Sequence, residues 1–145
     1  MDLSASVYIE RPPAEVFDFV MDVPHDAQWR TGVVEAAYTT DPPHGVGSTG
    51  FDRVEANGRS MAANWAVFEF EPGSHARWNL TSGPIRGTGG YVCEPKDSGT
   101  RFTLEARVRP TGVYALMGPV FGLIGRRQNR GDVQRLKQLL ENQPA

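Results

Sequence analysis

Three histidines, one cysteine and a scatter of carboxylates are the residues of this chain with the most obvious chemistry, and their spacing assembles no familiar catalytic group. Nucleophilic catalysis needs a serine or cysteine within reach of a histidine and an orienting carboxylate. His25, His44 and His75 fall in loops or at strand starts, far along the chain from Cys93, and no Gly-x-Ser-x-Gly elbow occurs. Neither HExxH nor CxxC spacing is present, so no metal site and no cofactor are expected. Cys93 shares strand parity with Tyr91 and reads as a small buried apolar residue. Gly87-Thr88-Gly89-Gly90 has the composition of a phosphate loop, but it sits within a strand pattern with no helix after it. Close backbone approach or a bulge accounts for it better.

The residues with more to offer are aromatic. Trp78 shares parity with Ala76 and Leu80, Trp65 shares parity with Val67, and Tyr91 belongs to a neighbouring strand near Phe102 and Leu104. Such side chains serve equally as core or as the wall of a pocket, and their indole N–H and phenol O–H groups could meet a ligand oxygen. Phe51 joins this set, and Arg53 shares its parity. An inward Arg53 would need an anionic partner, so the outward placement usual for arginine is expected. Trp29 reads as a packing residue for short helices, and the placement of Asn64 and Arg86 stays open. No Asp, Glu or His falls on an apolar face, so no general base is identified and the catalytic residues, if any exist, are unassigned.

The elements that must position these side chains follow from periodicity. Ala5, Val7 and Ile9 alternate within a first strand, Leu3 to Ile9. Pro12-Pro13 stops it, and Pro13 suits a helix's first turn, with Val16, Phe17, Phe19 and Val20 forming an apolar stripe that ends near Asp22. Pro24 opens a second short helix ending near Trp29. Six strand patterns follow: 33–41, 48–55, 60–71, 74–81, 87–94 and 100–109. Tight turns join them, and Asn57-Gly58 is the strongest hairpin signal. Trp65 and Val67 share one face of their strand and Phe68 and Phe70 the other, so a bulge near Phe68-Glu69 is expected. The 145 residues read as one domain, 1–145, with no internal repeat or linker.

A long helical pattern, Tyr114 to Glu141, closes the chain, and its two halves disagree. Val133, Leu136 and Leu140 define one face, yet projecting it backwards meets Asn129, Gly125, Gly122 and Gly118. The large apolar residues of the first half, Leu116, Met117, Val120, Phe121, Leu123 and Ile124, lie around the other side. Either the helix breaks near Gly118-Pro119 or Gly125, or the glycines allow close approach or room for a ligand. A third option is that the first half meets a pocket mouth, a partner subunit or a membrane. The segment reads as a lid, and the exposed apolar start makes a homodimer an expectation to test. Arg126, Arg127, Arg130, Arg135 and Lys137 read as a solvated face.

Net charge of −2 speaks against a nucleic-acid partner, and no stretch approaches the ~20 apolar residues of a membrane span. A single cysteine and a start without signal-peptide character place the protein in the cytoplasm by expectation.

The order strand, two short helices, strand meander and long helix comes with local wording. Val7-Tyr8-Ile9-Glu10-Arg11-Pro12-Pro13-Ala14-Glu15-Val16-Phe17-Asp18-Phe19-Val20 is followed by Asp22, Trp29 and Gly45-Val46-Gly47-Ser48. Phe68-Glu69-Phe70-Glu71-Pro72, Gly99-Thr100-Arg101-Phe102 and Arg135-Leu136-Lys137 come later. Together these pieces, spread over the whole chain, resemble the START-like or helix-grip (SRPBCC) superfamily, in its polyketide cyclase/dehydrase-like branch. That resemblance implies an α+β helix-grip fold, a seven-stranded antiparallel sheet wrapped around the C-terminal helix, with a cavity between them. It implies a hydrophobic or amphipathic ligand such as a lipid, polyketide or aromatic metabolite, or else an aromatase-type cyclase or dehydratase. The family shares no catalytic residue to carry over. The expected ligand-binding residues are Phe51, Trp65, Trp78, Tyr91, Phe102, Leu104, Met117, Val120, Phe121 and Ile124.

Overall fold

The computed structural model describes residues 1–144. Strand β1 (Ala5–Ile9) leads into α1 (Pro13–Met21), a 3-10 turn (Val23–His25) and the short α2 (Asp26–Trp29). Six strands follow: β2 (Val33–Tyr38), β3 (Thr49–Ala56), β4 (Arg59–Glu71), β5 (His75–Ser82), β6 (Ile85–Lys96) and β7 (Gly99–Pro110). They form one seven-stranded antiparallel sheet in the order β1-β7-β6-β5-β4-β3-β2, with β1 returning beside β7. A 3-10 segment (Gly112–Met117) then precedes α3 (Pro119–Glu141). The fold is the α+β helix grip that the sequence implied.

Local chemistry explains the joints. Asn57 and Gly58 both take positive φ, 53° and 75°, which suits a two-residue hairpin turn between β3 and β4. The register of β4 against β5 shifts between Val67 and Glu69, so one extra residue sits where the face pattern demanded it. At Gly87 a side chain would collide with the Arg107 carbonyl of the next strand, so close backbone approach accounts for that glycine of β6. The terminal helical pattern is not continuous. Gly118, with φ 57° and ψ −135°, separates the 3-10 segment from α3, and Pro119 opens the helix at a position that needs no amide hydrogen.

Two apolar clusters hold the layers together. The larger joins Val7 and Ile9 of β1, Val16 and Val20 of α1, Trp29, Phe102 of β7, and Val133, Leu136 and Leu140 of α3. The smaller contains Val23, Ala36, Trp65 and Val67. Phe70 and Trp78 pack against both. Each fully buried aliphatic side chain contributes roughly 1.5–3 kcal/mol relative to exposure. Polar anchors add direction. Lys137 donates to the Tyr8 carbonyl at 2.6 Å, and Arg135 to the Trp29 carbonyl at 2.7 Å. These two cations of the supposed solvent face therefore tie α3 to β1 and α2.

The first part of the terminal segment behaves differently. Val113, Leu116 and Leu123 are exposed, Leu116 at 87%. No helix among the described residues is long and apolar enough to cross a membrane.

Candidate functional site

Between the sheet and α3 lies a cavity of about 240 Å³. Its walls come from every layer: Val23 of the 3-10 turn, Val54, Trp65, Trp78, Leu80, Tyr91, Leu104 and Val108 of the sheet, and Phe121, Gly125 and Asn129 of α3. Two glycines make room for the indoles. A side chain at Gly50 would collide with the Trp65 ring and the Ala37 carbonyl, so glycine lets Trp65 lie across β3. A side chain at Gly89 would likewise meet the Trp78 indole nitrogen. Tyr91 meets Trp78 edge to face, with ring centroids 4.8 Å apart.

Of the ligand-binding residues expected from sequence, Trp65, Trp78, Tyr91, Leu104 and Phe121 border this cavity. The others are placed elsewhere. Phe51 points to the opposite side of β3 beneath Arg53, whose guanidinium carbon stands 5.7 Å from the ring centroid, because Gly50, Asp52 and Val54 take the inward positions. Arg53 is outward and pairs with Glu35 at 3.2 Å. Phe102 is solid core, packed between Trp29 and Tyr91. Met117, Val120 and Ile124 are exposed, because the glycine face of α3, not its bulky face, turns towards the sheet.

The cavity also contains a charged cluster that sequence reasoning missed. Asp26 and Asp52 both line it, contrary to the expectation that no acid would reach an apolar face. Asp26, only 5% exposed, begins α2. Asp52 accepts a hydrogen bond from the Trp65 indole N–H at 2.9 Å. The two carboxyls border the same space, and Asp26 Oδ1 is buried without a protein partner. Burial first, then the Asp52 charge and the hydrogen bond to it, push the Asp26 carboxyl well above the ordinary range; Arg30 opposes this in part. These surroundings favour the neutral form of Asp26.

Arg30, one turn further on, frames the cluster. Its Nε donates to Asp132 Oδ2 at 3.3 Å, and its guanidinium lies 5.3 Å from the Trp29 ring centroid. Burial alone would lower its pKa, but Tyr91, Asp132, Asp26 and Asp52 outweigh burial and hold it charged, above its ordinary value. Asp132 of α3, 2% exposed, is satisfied in turn by the Thr31 amide at 3.1 Å and Arg135 at 3.1 Å. Tyr91, buried and near Asp26, is held neutral well above its usual range, so its hydroxyl remains a donor at any ordinary pH. Three short-range signals could have flagged this cluster: the Asp26-to-Arg30 helical spacing, the inward parity of Asp52 with Gly50, and an indole in need of an acceptor.

Other reactive side chains lie outside the cavity. His25 bonds the Phe19 carbonyl at 2.9 Å, His44 stacks on Tyr38, and His75 pairs with Glu69 at 3.0 Å. Cys93 is buried, its thiol pushed up to about 12 by burial, so it is inert as a nucleophile. Among the described residues no three His, Cys, Asp or Glu side chains gather as a metal site would require.

The profile of the family described as polyketide cyclase / dehydrase and lipid transport matches residues 1–141. No curated protein matches the chain significantly. Solved structures share the fold. A START superfamily protein from Mycobacterium smegmatis superposes with a TM-score of 0.81 at 16% identity, over 97% of each chain. TTHA0849 from Thermus thermophilus gives 0.75 at 20% identity, over 97% of this chain and 94% of that one. The di-domain ARO/CYC protein BexL of the BE-7585A biosynthetic pathway gives 0.75 at 17% identity, over 99% of this chain and 51% of its own.

Proposed function

The chain belongs to the polyketide cyclase / dehydrase and lipid transport family, and we propose that its cavity binds a small, largely apolar molecule bearing one neutral oxygen, a carbonyl or hydroxyl. One observation carries this reading: an aromatic and aliphatic wall surrounds the buried carboxyl of Asp26, one oxygen of which lacks a partner. A buried polar atom without a partner costs about 1–3 kcal/mol, and a ligand oxygen that supplies the missing hydrogen bond recovers it. Tyr91 adds a second neutral donor nearby.

Size narrows the class. A ~150 Å³ apolar cavity accepts benzene, so the 240 Å³ here suits a substituted ring or a fused pair of rings better than a long acyl chain. Aromatic metabolites and short polyketide-like compounds fit, and extended lipids would require the cavity to open.

Two measurements test the reading. Native mass spectrometry of protein purified from its own host is expected to reveal a bound small molecule. Titration with α-tetralone or β-tetralone, bicyclic ketones of suitable size, is expected to change tryptophan fluorescence saturably at one site. A vacant protein that neither tetralone perturbs would refute the proposal.

A second reading draws on the exposed Val113, Leu116 and Leu123, which suit an interaction surface such as a homodimer contact. Sedimentation of the wild type against Leu116→Glu tests it. A concentration-dependent dimer lost in the variant supports that use, and a monomer throughout removes it.

A further inference from the structure

We propose that Asp26 and Asp52 form a bifunctional acid–base pair that enolises a ketone bound in the cavity. This rests on the binding reading above and deepens it. The geometry carries the argument. Both carboxyls line one cavity, and they come from different elements, α2 and β3. Asp52 is oriented by the Trp65 indole N–H at 2.9 Å, which leaves its other oxygen to act as base. Asp26 is buried and lines the same cavity, with Oδ1 unpartnered. One proton shared by two adjacent carboxyls gives one group ready to donate and one ready to accept.

The step balances within the pair. Asp52 removes a proton from the carbon next to the carbonyl, breaking the C–H bond. That electron pair forms the carbon–carbon double bond, and the carbonyl π pair moves to oxygen, where it takes the proton from Asp26. The ligand leaves as its enol, isomeric with the ketone. Asp52 now holds the proton and Asp26 the charge, so the net charge of the pair is unchanged and no co-reactant is needed. The reverse step returns the ketone. In heavy water the proton on Asp52 exchanges first, and the returning ketone carries deuterium at the α-carbon.

The surroundings fit this role. Around the pair stand Arg30 just after α2, Tyr91 on β6, Glu105 on β7 and Asp132 on α3. Arg30 stabilises negative charge on Asp26 after it gives up its proton, while Asp132 is already bonded to Arg30, Arg135 and Thr31. Glu105 is engaged by Arg77 at 2.8 Å and does not compete as base. Trp65 is a positioning residue, because it acts on the substrate through Asp52.

The experiment follows deuterium incorporation into α-tetralone and β-tetralone by mass spectrometry, with binding measured in parallel by fluorescence. Wild-type protein is expected to accelerate exchange at the α-carbon above buffer. Asp52→Asn is expected to reduce the protein-dependent rate by about 10²–10⁴-fold, the usual range for losing a positioned base, with affinity for the ketone changed only a few-fold. Asp26→Asn is expected to slow exchange by a smaller factor. The wild-type rate should fall on the alkaline side as Asp26 loses its proton, well above the ordinary carboxylate range, and this limb should vanish in Asp26→Asn. Trp65→Phe should lower the turnover rate with little change in half-saturation. His75→Ala, outside the cavity, serves as the unaltered reference. Saturable binding without accelerated exchange would overturn the acid–base pair and leave the binding reading intact. Absence of binding would overturn both. Exchange that persists unchanged in Asp52→Asn and in the isosteric Asp26→Asn/Asp52→Asn double variant would assign the chemistry elsewhere.

Discussion

The two ends of α3 face the same sheet and do opposite things with it. From Val133 to Leu140, large side chains fill the space against β1, α1 and Phe102, and nothing is left over. From Gly122 to Asn129, the same helical face carries glycine and asparagine, and there the cavity extends between helix and sheet. The bulky residues of that end, Leu123 and Ile124, turn away and are exposed. The contrast shows that the hollow lies beside the small residues of one helix face, with Leu3 filling part of the space next to Gly125. A protein that keeps its core at one end of a helix can leave space at the other without unfolding.

The strongest challenge to this contrast is Leu136→Ala. It removes a fully buried side chain at the filled end and is expected to cost about 2–5 kcal/mol, read as a fall in melting temperature. A loss under 1 kcal/mol would mean that the filled end is not packed as described. Trp78→Ala acts on the hollow end. It should weaken binding of α-tetralone about tenfold or more, close to 1.4 kcal/mol, whereas His44→Ala should leave affinity unchanged. Equal effects of the two variants would move the binding site away from the Trp78 wall.

Acidity separates the ends as well. The Asp26 pKa is raised in the folded state, so folding takes up a proton there. The associated stability is fully present below the unfolded carboxylate value and is lost as pH rises through the folded one. Asp26→Asn, which cannot ionise, is therefore expected to melt higher relative to wild type at pH 8 than at pH 4. The opposite ordering in thermal melts would show that Asp26 is ionised in the native state. The smallest expected effect compares two glycines of α3. Gly131 has open space around its Cα, and Gly131→Ala should stabilise by about 1 kcal/mol through helix propensity. Gly125 abuts Leu3, whose Cδ1 would stand 2.7 Å from an added Cβ, so Gly125→Ala should gain less or lose stability. Equal gains in urea melts would show that the close approach of α3 to Leu3 is unimportant.

The architecture was legible because its signals are local and repetitive. Alternation in β7, the Asn57-Gly58 turn and the doubled face pattern around Phe68 each left a direct mark, and register and bulge followed. The glycine row of α3 announced that something unusual happened along one helix face. What remained hidden is the charged cluster. Asp26 belongs to a helix of four residues, too short for periodicity to assign a face. In β3 the larger apolar residue, Phe51, lies outward with Arg53 stacked on it; the outward arginine was expected, but its apolar character drew Phe51 into the expected binding set. Asp132 looked like one charge in a solvated run, yet it is among the most buried residues of the chain. Asp132 is compensated by Arg30 and Thr31 from a distant segment and Asp52 by the Trp65 indole of the next strand, pairings written in three dimensions only.

The extra residue in β4 has a reach beyond its own bend. Ahead of it, Trp65 and Val67 border the cavity; after it, Phe70 packs edge to face on Phe17 of α1 at 5.5 Å. Without that offset, a plain two-residue alternation would aim Phe70 away from Phe17 whenever Trp65 pointed inward. A single strand thus serves as chamber wall and as foundation. A substitution in the chamber's lining can therefore change what is held without touching the foundation.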